Sequence, residues 1–337
     1  MEPVRVMVWG LGAMGGGIAR LLAAKPGFAL VAGADLDPAK IGRDLGEVVE
    51  TAPLGVKVEA DAALAISRAR PDVAVIATDS FLRTVVPQIE AAVRAGCNVV
   101  SLAEEMAYPW VADAQAARRL DDLARERGVT VLGTGINPGF VLDTLIVALT
   151  GVCHDVRRIR AARVNDLSPY GPTVMRTQGV GTTPEEFAAG LNAGTIVGHI
   201  GFQQSAAMIA AAVGWRLDRV EEVREPIVAR VRREARYVTV EPGRVAGCRH
   251  LAYGYRNGEV VLELEHPQQV APSAEGVETG DYINIEGTPG VSLAIKPEIP
   301  GGLGTMAVAV NMIPRVIEAR PGLLCMNDLP VPAAILD

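Results

Sequence analysis

Three glycines at positions 10, 12 and 15 and an aspartate at 35 supply the parts of a phosphate and diol site. The glycines close the stretch Val4-Arg5-Val6-Met7-Val8-Trp9-Gly10-Leu11-Gly12-Ala13-Met14-Gly15, an apolar run followed by a G-x-G-x-x-G turn and then a helical pattern from Ile18. In such a turn the first glycine permits the tight bend, and the second lets backbone approach a pyrophosphate alongside Ala13 and Met14. The third allows close packing of helix on strand. The free N–H groups of the helix N-terminus add a partial positive charge. A second apolar run, Phe28 to Ala34, ends on Asp35, twenty residues after Gly15, where a carboxylate accepts hydrogen bonds from ribose hydroxyls. Strand, turn, helix, strand and acid in this order predict a bound NAD or NADP, whereas a merely structural glycine turn needs no such acid. Lys40 and Arg43 follow, either meeting a 2′-phosphate or lining a solvated loop.

Acid–base chemistry points to Ser101-Leu102-Ala103-Glu104-Glu105-Met106, directly after the apolar run at 97–102. Adjacent carboxylates at a strand end are either solvated or, at a sheet edge facing a nicotinamide, placed to move protons. Thr78-Asp79-Ser80 ends another apolar run, Asp72 to Ala77, and puts Thr78 beside the cofactor. Gly133-Thr134-Gly135-Ile136-Asn137-Pro138-Gly139-Phe140 ends a third. It is a hinge, or a loop in which Asn137 offers both a donor and an acceptor.

Positioning these loops requires a sheet whose strands all end on one side. Unbroken apolar runs suit strands buried on both faces, and their alternation with helical patterns predicts a Rossmann doubly wound parallel sheet. Helices are expected over 83–95 and 109–127. The dinucleotide-binding domain spans 1–140. An inserted α+β domain spans 141–299, and 300–337 returns as a helix and tail to the first domain. In the insert, a strand at 156–164 leads into Asn165 and Asp166, and Thr183 caps a helix over 184–192 with Glu186 completing a capping box. An apolar helix is expected over 196–213. Antiparallel strands follow at 224–240, 247–255 and 260–265, the last two joined through Arg256-Asn257-Gly258. In the tail, Asn311 sits on an apolar helix at 306–317, as a satisfied structural residue or a cofactor ligand.

Composition narrows the partners. The chain has 337 residues, 49% hydrophobic, with a formal net charge of −7, which argues against nucleic acid and anionic membranes. Cys97, Cys153, Cys248 and Cys325 form no C-x-x-C pair and no metal-ligand spacing, and with no signal peptide they read as reduced thiols of a cytoplasmic protein. The apolar stretch at 196–213 is interrupted by His199, Gln203, Gln204 and Ser205, so it reads as a buried or subunit-interface helix of a homodimer rather than a membrane span. Lysine occurs only at 25, 40, 57 and 296, which excludes a catalytic lysine on the loops between 78 and 140.

Over nearly its whole length the chain resembles the dihydrodipicolinate-reductase-related dehydrogenases, and among them the 2,4-diaminopentanoate and native amine dehydrogenases. The carrying segments are GLGAMG (10–15), SLAEEMAYPW (101–110), GTGINPGF (133–140), ARVND (162–166) and PGGLGTMAVAVNMIP (300–314). The first is shared by many enzymes, and the second and last are specific. The paired-histidine motif of a true dihydrodipicolinate reductase is missing. The resemblance implies oxidation of a small amine or diamino acid by NAD or NADP to a ketone with release of ammonia, reversible as reductive amination. It favours Glu104 as the base, with Glu105 as its neighbour or replacement. Such a carboxylate deprotonates the substrate ammonium, stabilises the cationic iminium and activates water to attack it. A diamino acid also needs a carboxylate anchor. Arg163 and Asn165 share a strand face by their spacing, with a surface arginine as the alternative at 163, and His199 and His266 are second contacts, or else packed histidines. Two other readings remain: an imine or C=C reductase, and a non-catalytic NAD(H)-binding regulatory protein.

Overall fold

The apolar runs that open the chain become strands with both faces covered. In the computed structural model, which describes residues 2–335, the chain divides into two compact units, Met1–Phe140 with Pro300–Asp337, and Val141–Ile299.

In the first unit the strands are β1 (Val4–Trp9), β2 (Phe28–Ala34), β3 (Val58–Glu59), β4 (Val73–Ile76), β5 (Asn98–Ser101) and β6 (Thr130–Gly133). A last short strand, Gly322–Leu324, pairs with β6, giving the parallel order Gly322–Leu324, β6, β5, β4, β1, β2, β3. Every residue of β4 and β6 is buried, which is why these segments lack polar alternation. The order reverses at β1, so the loops leaving β1 and β4 diverge and open the crevice in which such sheets bind ligands. Register sets the edge: Trp9 is level with Ile76, Ile76 with Ser101, and Ser101 with Gly133. The four loops singled out in the sequence therefore leave the sheet side by side.

Two helices fix that edge from behind. Helix Ala13–Ala23 meets helix Gly301–Glu318 so closely that a Cβ on Gly17 would lie 1.9 Å from the Met306 sulfur. The expected helix over 109–127 is shorter than its pattern. A 3₁₀ turn occupies Pro109–Val111, and the α-helix runs Ala114–Arg127 behind an Asp113 cap that accepts from Gln115 and Ala116 N–H at 2.9 Å.

The second unit is a mixed sheet with helices on one face. Its strands are β7 (Asp155–Asp166), β8 (Arg219–Val228), β9 (Arg233–Ala235), β10 (Val238–Val240), β11 (Val245–Arg256), β12 (Glu259–Gln269), β13 (Gly280–Thr288) and β14 (Val291–Ile295). Six of them pair in the order β14, β13, β7, β12, β11, β8, with only β7 and β12 parallel. Ile159, Ala161, Arg163 and Asn165 alternate inward along β7. Asn257 and Gly258 take positive φ (53° and 78°), as the tight turn between β11 and β12 requires. The capping box of Thr183 and Glu186 forms as its spacing predicts.

Two expectations are corrected here. The apolar stretch 196–213 is helical only over Phe202–Val213, because Gly198 and Gly201 adopt φ of 66° and 124° and hold 196–201 as a loop. The stretch 224–240 is not one strand, since β8 ends at Val228 and β9 and β10 form a separate hairpin. No helix among the described residues is long and apolar enough to cross a membrane.

Candidate active site

The dinucleotide loop is built by close approach. Gly10 has φ 91°, and a Cβ there would lie 2.6 Å from the Ala77 carbonyl oxygen and 3.0 Å from the Thr78 methyl, so the loops leaving β1 and β4 can approach this closely only with glycine at position 10. A Cβ on Gly15 would lie 1.8 Å from the Gly10 carbonyl oxygen. Gly12 is different: a Cβ there would meet nothing within 4 Å, leaving open space above the helix N-terminus that Ala13 and Met14 begin. A glycine needed for packing would show a neighbour. Room at Gly12 with first-turn N–H groups beneath it fits a pyrophosphate.

Asp35 is oriented by the same loop. Its Oδ2 accepts from Leu11 N–H at 2.7 Å and lies 3.1 Å from Lys40 Nζ, and its Oδ1 accepts from Asp37 N–H at 2.8 Å. Burial works to raise its pKa, but these amides and the ammonium outweigh it and hold the carboxyl below its usual range. The carboxylate is thus ionised and fixed at the end of β2, and Lys40 offsets its charge. The residues present fit NAD or NADP, which Gly10, Gly12, Ala13, Met14, Gly15 and Asp35 would hold, with Thr78 at the neighbouring strand end. The Thr78 hydroxyl donates to Gln88 Oε1 at 2.6 Å. The Asn311 Oδ1 accepts from Ile335 N–H at 3.1 Å, which ties the tail to its helix and gives this side chain the structural role open to it in the sequence.

The paired glutamates take different surroundings. Both lie in the 3₁₀ turn Glu104–Ala107 that follows β5. A Cβ on Gly133 would lie 2.1 Å from the Met106 carbonyl oxygen, so this turn rests on the start of the 133–140 loop. Glu105 is committed to backbone: its Oε2 accepts from Leu82 N–H at 2.7 Å, at the start of helix Leu82–Arg94, and its N–H donates to the Ser80 carbonyl. Glu104 is pushed up from the ordinary carboxylate range chiefly by burial. The nearby charges of Asp79 and Glu105 add to this, and the Ser80 hydroxyl opposes it. Behind the turn, Ile136 N–H donates to Thr305 Oγ1 at 3.2 Å, which fastens the loop carrying Asn137 to helix Gly301–Glu318.

In the second unit Arg163 and Asn165, neighbours on one face of β7, meet His199 and His266 from distant parts of the sequence in one buried group. The His266 Nε2 is 2.9 Å from Asn165 Oδ1, and the His199 and His266 rings meet edge-on with centroids 4.9 Å apart. Burial depresses both histidines, His199 to about 3, and Arg163 adds to the effect, so both are neutral near pH 7. Arg163 is not a surface arginine. Its Nη1 pairs with Asp281 Oδ1 at 2.6 Å, its Nη2 donates to the Ile299 carbonyl, and both side chains are at most 2% exposed. Asp281 was missed in the sequence because its only signal is its place opposite Arg163 across β7 and β13. Also missed was His250, which lies beside His199 with centroids 6.5 Å apart. No group of three or more His, Cys, Asp or Glu side chains among the described residues could hold a metal ion.

Comparison with known proteins finds matches over most of the chain. Residues 4–101 match the model of the dihydrodipicolinate reductase N-terminus, and residues 140–337 match that of the 2,4-diaminopentanoate dehydrogenase C-terminal domain. The chain is 46% identical to the 2,4-diaminopentanoate dehydrogenase of Acetoanaerobium sticklandii, over 100% of this chain and 96% of that protein. It is 29% identical to an amine dehydrogenase of Streptomyces virginiae, over 98% of each. Among solved structures, the amine dehydrogenase of Mycobacterium smegmatis superposes with a TM-score of 0.87 at 29% identity, covering 98% of this chain and 97% of that one. A dihydrodipicolinate reductase from Paenisporosarcina shares the fold alone, with a TM-score of 0.51 at 13% identity. With family models spanning both units and a full-length relative at 46% identity, the chain belongs to the 2,4-diaminopentanoate dehydrogenase family.

Proposed function

We propose that the protein is an NAD(P)-dependent amine dehydrogenase that deaminates a small diamino acid of the 2,4-diaminopentanoate type to the ketone and ammonia, reversibly. The observation that carries this reading is Glu104, a carboxyl held at the dinucleotide edge of the sheet with its pKa raised by burial. The bound nicotinamide supplies the hydride acceptor. Glu104, as the carboxylate, takes the proton from the substrate ammonium, so the nitrogen lone pair becomes available as the carbon loses hydride. Glu104 then passes that proton to solvent, and the restored carboxylate stands beside the iminium and takes the proton of the attacking water. Burial, by raising the pKa of this carboxyl, increases its affinity for the proton it must take. Glu105, which anchors Leu82, holds the turn. Arg163, Asn165, His199 and His266 form the carboxylate subsite of the diamino acid, with Arg163 supplying the positive charge from its pair with Asp281.

A panel of ketones tested by NAD(P)H oxidation, with and without ammonium, checks the reaction. The expected result is oxidation that requires ammonium and is fastest with 2-amino-4-oxopentanoate. Ammonium-independent oxidation would favour an imine or C=C reductase, and cofactor binding without turnover a regulatory protein.

The proposal extends to a homodimer in a reducing cytoplasm, which four free thiols suit. The apolar side chains of helix Phe202–Val213 are largely buried within its own unit, so the dimer is assigned to the open face of the sheet. There Arg158, Arg160 and Arg249 alternate with Glu225, Glu263 and Glu265, a pattern that can pair with a second copy of itself. Light scattering at micromolar concentration should give twice the chain mass, and a monomer would overturn the dimer.

A further inference from the structure

His199 sits in a loop whose backbone is pinned by side chains rather than by a helix or a ladder. Arg224 Nε donates to the Val197 carbonyl at 2.8 Å, Gln178 Nε2 donates to the Gly198 carbonyl at 2.8 Å, and His199 N–H donates to His250 Nδ1 at 3.0 Å. The N–H groups of Val197 and Gly198 both reach the Thr177 carbonyl. Within this clamp the His199 Nε2 is buried and has no hydrogen-bond partner. Its ring stands edge-on to Phe202 and His266 at centroid distances of 4.8 and 4.9 Å. A buried donor or acceptor without a partner is unfavourable, and a loose loop would turn it to water or to a neighbour. Something must therefore hold the loop.

The best-defined member of the clamp is His250, fully buried on β11. Since its Nδ1 accepts a backbone N–H, its ring proton must be on Nε2, which lies 2.9 Å from Glu222 Oε2. Glu222 is held in turn by Arg224 Nη2 at 2.6 Å and Gln203 Nε2 at 2.9 Å. One tautomer is thus fixed at both ends. Gly198 makes the approach possible, because it has φ 66° and a Cβ there would lie 3.0 Å from His250 Nδ1.

We propose that the His250–Glu222 pair is the positioning device of the substrate-carboxylate subsite, holding the backbone of His199 so that its Nε2 stays unpaired until the ligand arrives. This rests on the reading of His199 as a subsite residue. Neither His250 nor Glu222 needs to touch substrate. The ordering is done in the fold, so the ligand does not have to drive it.

The test uses the full chain with 2,4-diaminopentanoate and NAD. His250→Leu removes both bonds and should raise KM for the diamino acid about tenfold, while kcat and KM for NAD move less than about twofold. His250→Asn should restore most of the loss, since its Oδ1 can take the place of Nδ1 as acceptor for His199 N–H. An unchanged KM in His250→Leu, or a parallel fall in kcat and in NAD affinity as from general unfolding, overturns the proposal. His199→Phe separates it from the subsite reading. If that variant leaves KM unchanged, the subsite reading fails and takes the proposal with it. If it raises KM and His250→Leu does not, only the proposal fails. Nitrogen-15 NMR of the unmodified protein is independent of any variant's folding. His250 should show a protonated Nε2 and a bare Nδ1 between pH 6 and 8, and the opposite tautomer would overturn the proposal.

Discussion

Replacing Glu104 with Gln should lower amine oxidation by about a thousandfold, the combined size of a lost general base and a lost charge beside a cation. Glutamine keeps the volume and the hydrogen bonding of the side chain, so the loss falls in kcat. NAD binding, set by Gly10, Gly12, Gly15 and Asp35, should stay near its original value. The melting temperature should not fall, because a carboxyl whose ionised form is disfavoured by burial is replaced by a neutral group. In the unmodified protein the acid limb of kcat/KM should lie above the ordinary glutamate range of about 4.3. The sign follows from the role: the base works only when deprotonated, and a raised pKa keeps it protonated to higher pH. Glu105→Gln should cost far less, since its amide oxygen can still accept from Leu82 N–H. If the two variants behave the other way round, the mechanism stands with the glutamates exchanged. If both keep near-native turnover, carboxylate catalysis is wrong and the imine-reductase reading moves ahead.

Asp281→Ala should be the most destabilising single change in the second unit, by about 3–5 kcal/mol. The cause is the guanidinium left behind. Asp281 accepts both the Nη1–H of Arg163 and the N–H of Ile299 in a place where each side chain of the pair is at most 2% exposed. A thermal melt should show a fall on the order of 10 °C, using about 2–4 °C per kcal/mol for a large domain. Asp281→Asn keeps an acceptor and should lose less. A melt within about 2 °C of the unmodified protein would show that water or another partner takes over the arginine, and that Asp281 does not hold it. In that case Arg163 would also be free to swing, and its place in the carboxylate subsite would need to be reconsidered.

Features whose cause is local were legible in the sequence. G-x-G-x-x-G with Asp35 twenty residues on, the unbroken apolar runs and the capping box at Thr183 all arise within one or two elements. A strand buried on both faces has no room for polar alternation, so β4 reads correctly from composition alone. The turn carrying Glu104 could be placed because it must leave the sheet where β5 ends. Which glutamate is committed to backbone could not be read, because Leu82, which Glu105 binds, is 23 residues away.

What the amino-acid order determined by itself was the parallel sheet, its glycine turn and the presence of two carboxyls at its edge. Tertiary structure alone decided how the polar groups of the second unit are used. Arg163 meets Asp281 across 118 residues through strand register, and His199 meets His250 across 51 through a loop held open by Gly198 and Gly201. The apolar pattern of 196–213 suits a helix throughout, yet the helix starts at Phe202. Hydrophobic periodicity records which side chains are buried. It does not record which buried polar atom finds which partner, because that pairing exists only once distant strands have come into register.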